Sequence, residues 1–203
     1  MTHIENLTIE AADTAAAALF YKAAFDLDDK IRVREATAAT SGFRGVTISL
    51  ITAQPADVDR VATAAVAAGA TSIKPVAKSF WGYGGVVQAP DGTIVKVASQ
   101  SKKNTGPASD RIQQVVVLLG AEDVAASKRF YVEHGLTVAR SFGKKYVEFA
   151  NPEGAVTLGL YGRKALAKDA GVSPEGTGSH RLVLHGRGTD FTDPDGFVWQ
   201  PAG

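Results

Sequence analysis

The chain contains no cysteine, only four histidines and almost no net charge. Without cysteine it can form no disulfide, and it offers neither a thiolate nucleophile nor a thiolate metal ligand. The 22 basic and 21 acidic residues form no long run of either sign, so the sequence has no patch suited to a nucleic-acid backbone or an anionic membrane. These absences argue against nucleic acid and membranes as partners.

Long apolar runs are also absent. No stretch approaches the ~18 apolar residues that span a bilayer. The first residues include Glu5, Glu10 and Asp13 rather than a basic segment followed by an apolar run. We therefore expect a cytoplasmic protein. What the chain does have is 203 residues, of which 45% are hydrophobic, which is enough for a sizeable core in one large or two small domains.

The most informative feature that is present is a repeat. Phe20-Tyr21 returns as Phe130-Tyr131, and Pro90-Asp91-Gly92 returns as Pro194-Asp195-Gly196. The offsets are about 110 and about 104 residues. Such similar offsets indicate one duplicated structural unit.

A polar stretch at 99–110 has linker composition and separates the two copies. We therefore predict a first module at 1–98 and a second at 111–203. The second copy is shorter, because about 29 residues of the first copy, from the region 52–90, have no counterpart near 188–189. Either the second unit has lost them, or two segments are joined there across an absent loop. We favour the absent loop.

Capping residues and alternation predict the elements of each unit. Asp13 or Thr14 is suited to cap a helix at 15–25, and Asp123 is suited to cap a helix at 124–133. Alternating apolar segments around these helices predict strands. Further segments with a clear prediction are strands at 46–51, 94–97 and 181–185 and a short helix at 164–170.

In this order, the motifs resemble the vicinal oxygen chelate superfamily, which comprises glyoxalases, bleomycin-resistance proteins and extradiol dioxygenases. The resemblance covers essentially the whole chain. It implies an α+β fold in which two βαβββ modules curl into an open, barrel-like cup around the ligand. It does not fix the function, because this superfamily uses one cup for enzymes and for pure binding proteins. The residues that carry the resemblance are Asp13 with Phe20-Tyr21, Asp123 with Phe130-Tyr131, Ala67-Ala68-Gly69-Ala70 before Lys74-Pro75, Trp81-Gly82-Tyr83-Gly84-Gly85, and the two Pro-Asp-Gly turns.

The resemblance also implies where a metal ion would be bound. Metal-dependent members place His, Gln or Glu on each first strand, and Glu four residues after the glycine of each Pro-Asp-Gly turn. Here the positions after the turns hold Lys96 and Gln200, and the first-strand positions are about Asn6 and Gln113 or Gln114. A lysine repels a divalent cation and an amide is a weak ligand. We therefore predict that the protein binds no metal ion and no other cofactor.

Two side chains are candidates for acid–base catalysis. Glu148 lies between Val147 and Phe149 in an apolar strand. It faces either the cup, where burial would raise the pKa of a general base, or solvent. His185 ends a strand whose alternation can direct it into the cup, although a purely structural role is the alternative.

Aromatic and polar residues of the strands are candidates for ligand contact. Glycine is dense around Trp81 and Tyr83, which is unfavourable in a strand unless the backbone bends or approaches something closely. Aromatic side chains there would form flat apolar walls, although each of them alone is more typical of a core residue. Lys96 faces either the cup or solvent, and if it faces inward, it suggests an anionic ligand or a partner for a nearby carboxylate. The candidate ligand-binding residues are Phe43, Trp81, Tyr83, Lys96, Gln114, Tyr146, Trp199 and Gln200.

The sequence thus predicts a small-molecule-binding protein without a bound metal. It would sequester a drug or a metabolite, aromatic compounds included, or perform metal-free acid–base chemistry. The alternative is a metal-dependent lyase or dioxygenase with ligands from His185, Glu148 and Gln114. A third hypothesis is a scaffold whose cup is filled by its own side chains. We expect a monomer or a homodimer.

Overall fold

The computed structural model describes residues 2–80, 82–187 and 189–202 and folds them into helices and strands of an α+β protein, as predicted. The helices are α1 (Thr14–Phe25), α2 (Pro55–Ala67), α3 (Val124–Glu133) and α4 (Arg163–Ala170). The strands are β1 (Ile4–Ala11), β2 (Ile31–Glu35), β3 (Thr40–Gly42), β4 (Val46–Ile51), β5 (Thr71–Ser79), β6 (Gly82–Gln88), β7 (Ile94–Ser99), β8 (Gln114–Ala121), β9 (Val138–Phe142), β10 (Tyr146–Phe149), β11 (Thr157–Gly162), β12 (Gly176–Gly178), β13 (Leu182–Gly186), β14 (Phe191–Thr192) and β15 (Val198–Pro201).

The larger sheet has eight strands in the order β5-β6-β7-β4-β8-β11-β10-β9. It consists of two consecutive β-α-β-β-β runs, β4 to β7 with α2 and β8 to β11 with α3. Within each run the first and last strands pair in parallel, and the two first strands, β4 and β8, pair antiparallel at the centre. The sheet ends at β5 and β9, so it is open rather than closed into a barrel.

The smaller sheet has five strands in the order β14-β15-β13-β1-β2, and it joins the two ends of the chain. Its centre repeats the pattern of the larger sheet, because β1 and β13 pair antiparallel while β2 and β15 pair parallel to them. Both sheets therefore contain strands from both sides of the stretch 99–110. The module boundaries stay a prediction. So does the origin of the short junction near 188–189, where Gly188 lies outside the described residues.

The helix starts follow the predicted capping residues. Asp13 Oδ1 accepts the backbone N–H of Ala16 at 2.9 Å at the start of α1. Asp123 Oδ1 accepts those of Ala126 and Ala125 at 3.1 and 2.9 Å at the start of α3. These bonds satisfy amides that have no partner within the helix. They also lower the pKa of Asp123.

The tyrosine of each repeated Phe-Tyr motif bonds to an aspartate in or directly before a Pro-Asp-Gly turn. Tyr21 of α1 donates its hydroxyl to Asp91 Oδ2 at 2.8 Å, in the turn before β7 of the larger sheet. Tyr131 of α3 donates to Asp193 Oδ2 at 2.7 Å, in the turn before β15 of the smaller sheet. Burial, followed by the neighbouring carboxylate, raises the pKa of both tyrosines. Because α1 follows a strand of the smaller sheet and α3 one of the larger, each contact ties one sheet to the other.

One apolar core extends through both sheets and the helices between them. It includes Leu7 and Ile9 of β1, Ile48 of β4 and Val117 of β8. Among the described residues, no helix is both long and apolar enough to cross a membrane. Since strand side chains alternate between faces, each sheet turns one face to this core and leaves the other for different contacts.

Candidate functional site

The second face of the larger sheet is partly covered by α4. Side chains that are direct neighbours across adjacent strands share a face. Those at the middle of this face are Val86, Lys96, Ser49, Val116 and Thr157. Leu166 and Ala167 of α4 are fully buried against this surface, in an apolar cluster with Val86 and Ile94. We refer to this surface as the α4 face.

Beside α4, the α4 face leaves a cavity of about 330 Å³. Gly84 and Ala98 lie opposite each other on β6 and β7, and Ile51 lies next to Ala98 on β4. These residues give the cavity a flat, apolar floor. Lys96, on the same strand as Ala98, donates from Nζ to Asp169 of α4 at 2.8 Å. A cavity with apolar walls and a few polar groups at one side is typical of a small-molecule site.

Lys74 of β5 fixes α4 at another side of this cavity. Its Nζ donates to the backbone carbonyls of Lys168 and Asp169 at 3.1 and 2.5 Å. These carbonyls lie in the last turn of α4, where a cation interacts favourably with the helix dipole. Among the described residues that line this cavity, the charged ones are Lys74, Lys78, Lys96 and Asp169, so positive charge is in excess.

The glycines on either side of Tyr83 allow β6 to lie close to the backbone of β7. A β-carbon on Gly82, whose φ is +146°, would lie 2.1 Å from the carbonyl oxygen of Ser99. A β-carbon on Gly84 would lie 2.7 Å from that of Val97. The glycine-rich segment thus approaches a backbone closely, as its composition suggests, but that backbone is β7.

Of the two predicted aromatic contacts in this segment, Tyr83 lies within the described residues and does not form the cavity floor. Tyr83 donates its hydroxyl to Asp59 of α2 at 2.8 Å and packs against the common core. Its ring therefore lies on the helix side of β6, although it borders the cavity. Trp81 lies outside the described residues, so its predicted role stays a prediction.

Glu148 and Tyr146 lie at the other end of the α4 face. Glu148 is the cross-strand neighbour of Gly159 and Arg140. Tyr146 donates its hydroxyl to Glu148 Oε2 at 2.9 Å, and Arg140 Nε lies 3.7 Å from Oε1. Burial, followed by the bond to Glu148, raises the pKa of Tyr146, which keeps its hydroxyl a donor. Gln114 is on the same face and donates from Nε2 to Thr157 Oγ1 at 2.7 Å.

His185 and Gln200 lie in the smaller sheet instead. They are direct neighbours on β13 and β15, and Asn6 is the neighbour of His185 on β1. His185 Nε2 is 2.9 Å from Thr8 Oγ1, and Arg34 Nη1 donates to Gln200 Oε1 at 3.4 Å. The structure therefore does not bring the two candidate catalytic residues, His185 and Glu148, together.

Phe43 and Trp199 are both buried, and Phe43 also lines a second cavity near the start of β4. Trp199 is 0% exposed, donates from Nε1 to the Tyr131 hydroxyl at 3.3 Å and stacks on Phe191. Phe43 is buried against α4, with the guanidinium carbon of Arg163 5.3 Å from its ring centroid. Neither lines the cavity beside Lys96.

The positions at which the resemblance implies metal ligands are divided between the two sheets. Lys96 lies beside Ser49 in the larger sheet, whereas Gln200 and Asn6 lie beside His185 in the smaller one. Within the described ranges, no three or more His, Cys, Asp or Glu side chains are grouped so that they could hold a metal ion. These residues do not fit a divalent metal. The alternative set of His185, Glu148 and Gln114 is likewise divided between sheets.

Two residues of the cavity were not predicted from the sequence. Ala98 has no polar or reactive group that would mark it as a site residue. It follows Lys96 by two residues, however, so it must lie on the same face of β7 as Lys96. Asp169 lies in the helix that was predicted at 164–170, yet its sequence pattern gives no sign that this helix docks on a sheet. An aspartate in a short polar helix is usually exposed to solvent.

No family model matches this chain, and no curated protein matches it in sequence. Solved structures do match. Glyoxalase I from Zea mays superposes with a TM-score of 0.57 and 15% identity, covering 92% of this chain and 75% of that one. A "putative dioxygenase" from Bacillus subtilis superposes with a TM-score of 0.55 and 10% identity, covering 90% of this chain and 69% of that one. At such identities, these similarities show a shared fold and nothing finer.

Proposed function

We propose, on the premise that this chain has the glyoxalase-type fold of the vicinal oxygen chelate superfamily, that it binds a small organic molecule without a metal ion. The site is the cavity between α4 and the α4 face. The observation that carries the proposal is the flat floor that Gly84 and Ala98 leave beside Lys96. A planar ring fits such a floor, with a polar substituent toward Lys96 and Asp169. The biological role would be sequestration of a drug or a metabolite.

The chemistry of the surrounding residues favours binding over metal-dependent catalysis. Lys96 occupies a position at which a metalloenzyme of this fold would need a carboxylate, and its ammonium is bonded to Asp169. Metal-free acid–base chemistry would depend on Glu148, whose carboxylate accepts a hydrogen bond from Tyr146. A catalytic role for Glu148 and ligand contacts by Gln114 and Tyr146 remain predictions, as do the cytoplasmic location and the monomer or homodimer.

Thermal-shift screening tests the proposal. The panel is aromatic metabolites, thiol adducts and glycopeptide-like drugs, and calorimetry follows for each compound that raises Tm, since a ligand of the native state raises Tm by mass action. In the variant Ala98→Leu, the larger side chain covers the floor, and we expect the shift to be lost. Ala139→Leu changes an exposed strand residue in β9 and should keep the full shift.

The outcomes separate the hypotheses. A ligand whose shift survives Ala98→Leu binds elsewhere and overturns the proposed site. A panel without any shift supports the self-filled scaffold. Elemental analysis of protein purified without chelators addresses the alternative: a stoichiometric transition metal, together with metal-restored turnover of a hemithioacetal or a catechol, would establish a metal-dependent enzyme.

A further inference from the structure

A second cavity, of about 300 Å³, lies where β4 begins and is separate from the site beside Lys96. It lies at one end of both sheets, and residues of the segment 172–182 form one of its walls. Its walls are largely apolar. The apolar side chains that line it are Ile9, Phe43, Val46, Ile48, Ile94, Val172 and Leu182, of which Phe43 was predicted to contact a ligand.

Two arginines also line this cavity, and each carries a buried donor that has no partner. Arg44 Nη1 and Arg181 Nε are buried and make no hydrogen bond to the part of the chain that the structure describes. Neither arginine takes part in any of the ion pairs formed by the described residues. Buried donors in native proteins nearly always have an acceptor. Two arginines without an ion-pair partner that line one cavity therefore point to an anionic ligand in it.

The charged groups around the two arginines do not neutralise both of them. Arg44 Nη2 donates to the backbone carbonyl of Asp91, whose carboxylate accepts the Tyr21 hydroxyl. Burial lowers the pKa of Arg44, the charge of Asp91 opposes this effect, and the charge of Arg181 adds to it. Glu175 borders the cavity, but it is exposed to solvent. The cavity thus has an excess of positive charge.

The backbone of Arg181 is strained, and hydrogen bonds to neighbouring segments hold it in this conformation. Its φ is +55°, in the left-handed region that is unfavourable for residues other than glycine and that is concentrated at binding sites. Ser179 Oγ accepts its N–H at 3.0 Å, and the N–H of Glu10 donates to its carbonyl at 2.9 Å. The adjacent His180 lies with Nδ1 2.5 Å from the carbonyl oxygen of Arg44. The segments that carry the two guanidinium groups are therefore tied together before any ligand binds.

We propose that this cavity binds a small carboxylic acid in its ionised form. Arg44 and Arg181 hold the carboxylate, and the apolar walls surround the hydrocarbon body. A carboxylate has two acceptor oxygens, so it can accept from both guanidinium groups, which match its planar geometry. Inorganic phosphate fits less well, because apolar walls would leave some of its oxygens without partners.

The cavity limits the size of the acid. Its volume is at the lower end of the range of about 300–1,000 Å³ for small-molecule sites, so the body is a short aliphatic chain or a single aromatic ring. This proposal does not rest on the function of the α4 face, because no residue that carries the argument lines the cavity beside Lys96.

Calorimetric titration with hexanoate and benzoate tests the proposal. Hexanamide and benzamide have the same bodies without the charge and serve as matched probes, with inorganic phosphate as a third. We expect the acids to bind at least about tenfold more tightly than the amides, because hydrogen bonds between charged partners are the strong ones. Arg44→Met and Arg181→Met should each weaken acid binding by about tenfold or more. Arg60→Met, which changes an arginine that is 56% exposed, should leave it unchanged.

A second readout distinguishes a ligand-binding arginine from a structural one. Since Arg181 buries a donor without a partner, we expect Arg181→Met without ligand to melt no lower than the wild type. If this variant does not fold, Arg181→Lys keeps the charge but not the Nε donor, and it should lose about tenfold in affinity. Equal binding of acids and amides, tighter binding of phosphate, or full acid affinity in the arginine variants would overturn the proposal. Ala98→Leu leaves this cavity unchanged, so failure here is distinguishable from failure at the α4 face.

Discussion

The two sheets are built from the chain in different ways. The larger sheet comes from the continuous stretch 46–162, and its ion pair of Lys96 with Asp169 is partly exposed, with side-chain exposures of 34% and 43%. The smaller sheet joins strands from both chain ends. It has an ion pair of Arg34 with a Glu10 side chain that is only 10% exposed, and it contains the fully buried Trp199. Both sheets contain fully buried side chains, but the ion pair of the smaller sheet is the more deeply buried of the two, and this difference can be tested.

The largest effect is expected from Trp199→Ala, with Leu160→Ala in β11 as the counterpart in the larger sheet. Both side chains are 0% exposed, and truncation in a core costs about 3–5 kcal/mol for tryptophan and about 2–5 kcal/mol for leucine. Because one core connects both sheets, urea unfolding followed by circular dichroism should show a single transition for each variant. Two separate transitions for Trp199→Ala would mean that the sheets unfold independently.

An intermediate effect is expected from the two ion pairs. Arg34→Met leaves the Glu10 carboxylate poorly exposed and without its partner, and this should lower the free energy of unfolding by about 1–3 kcal/mol. Lys96→Met breaks a pair that water screens, so its effect should stay within about 1 kcal/mol. Denaturant midpoints of both variants check this order. Equal losses would remove the distinction between the two sheets.

The smallest effect is a dependence on pH. Burial raises the pKa of Asp193, although the Tyr131 hydroxyl and the Phe197 N–H, which bond to its carboxylate, oppose the shift. The folded state therefore binds the proton more strongly than the unfolded state does. As pH rises from the usual aspartate value of about 3.9 through the raised pKa, the free energy of unfolding must fall.

Asp193→Asn should remove this fall, and unfolding curves at several pH values measure it. Asp123 changes the free energy of unfolding in the opposite direction. The N–H groups of α3 lower its pKa, so the stability that it contributes is lost as pH falls. Asp123→Asn should therefore keep the fall that Asp193 causes. An unchanged pH profile in Asp193→Asn would contradict the assignment.

Local features could be predicted because they depend on near neighbours in the sequence. Asp13 and Asp123 start their helices as predicted, and the strand at 46–51 and the helix at 164–170 are confirmed within one residue. The choice of strand partners could not be predicted. Alternation assigns each strand a buried face, but it is the same whether β4 pairs with β8 or with another strand. For this reason the sequence did not reveal that each half of the chain contributes strands to both sheets.

The candidate site was predictable only in part, for a similar reason. Lys96 alternates out of apolar neighbours, and the structure places it on the α4 face, but its partner Asp169 is 73 residues away. Tyr83 precedes Gly84 and must therefore face the opposite side of β6, against α2. Arg44 lies in a glycine-containing segment and Arg181 at the start of the strand predicted at 181–185, and only the fold shows that both line one cavity.

The pairing of β1 with β13 sets an order of events during synthesis. Thr8 and its partner His185 are 177 residues apart, so at a translation rate of about 5–20 residues per second β1 emerges roughly 9–35 s before β13. The stretch 46–162, which holds all strands of the larger sheet, is synthesised within that interval. β1 can pair early with β2, which follows it closely in the chain, but it lacks its second partner until β13 emerges. Apolar residues of β1 such as Leu7 and Ile9 therefore reach their final surroundings only then.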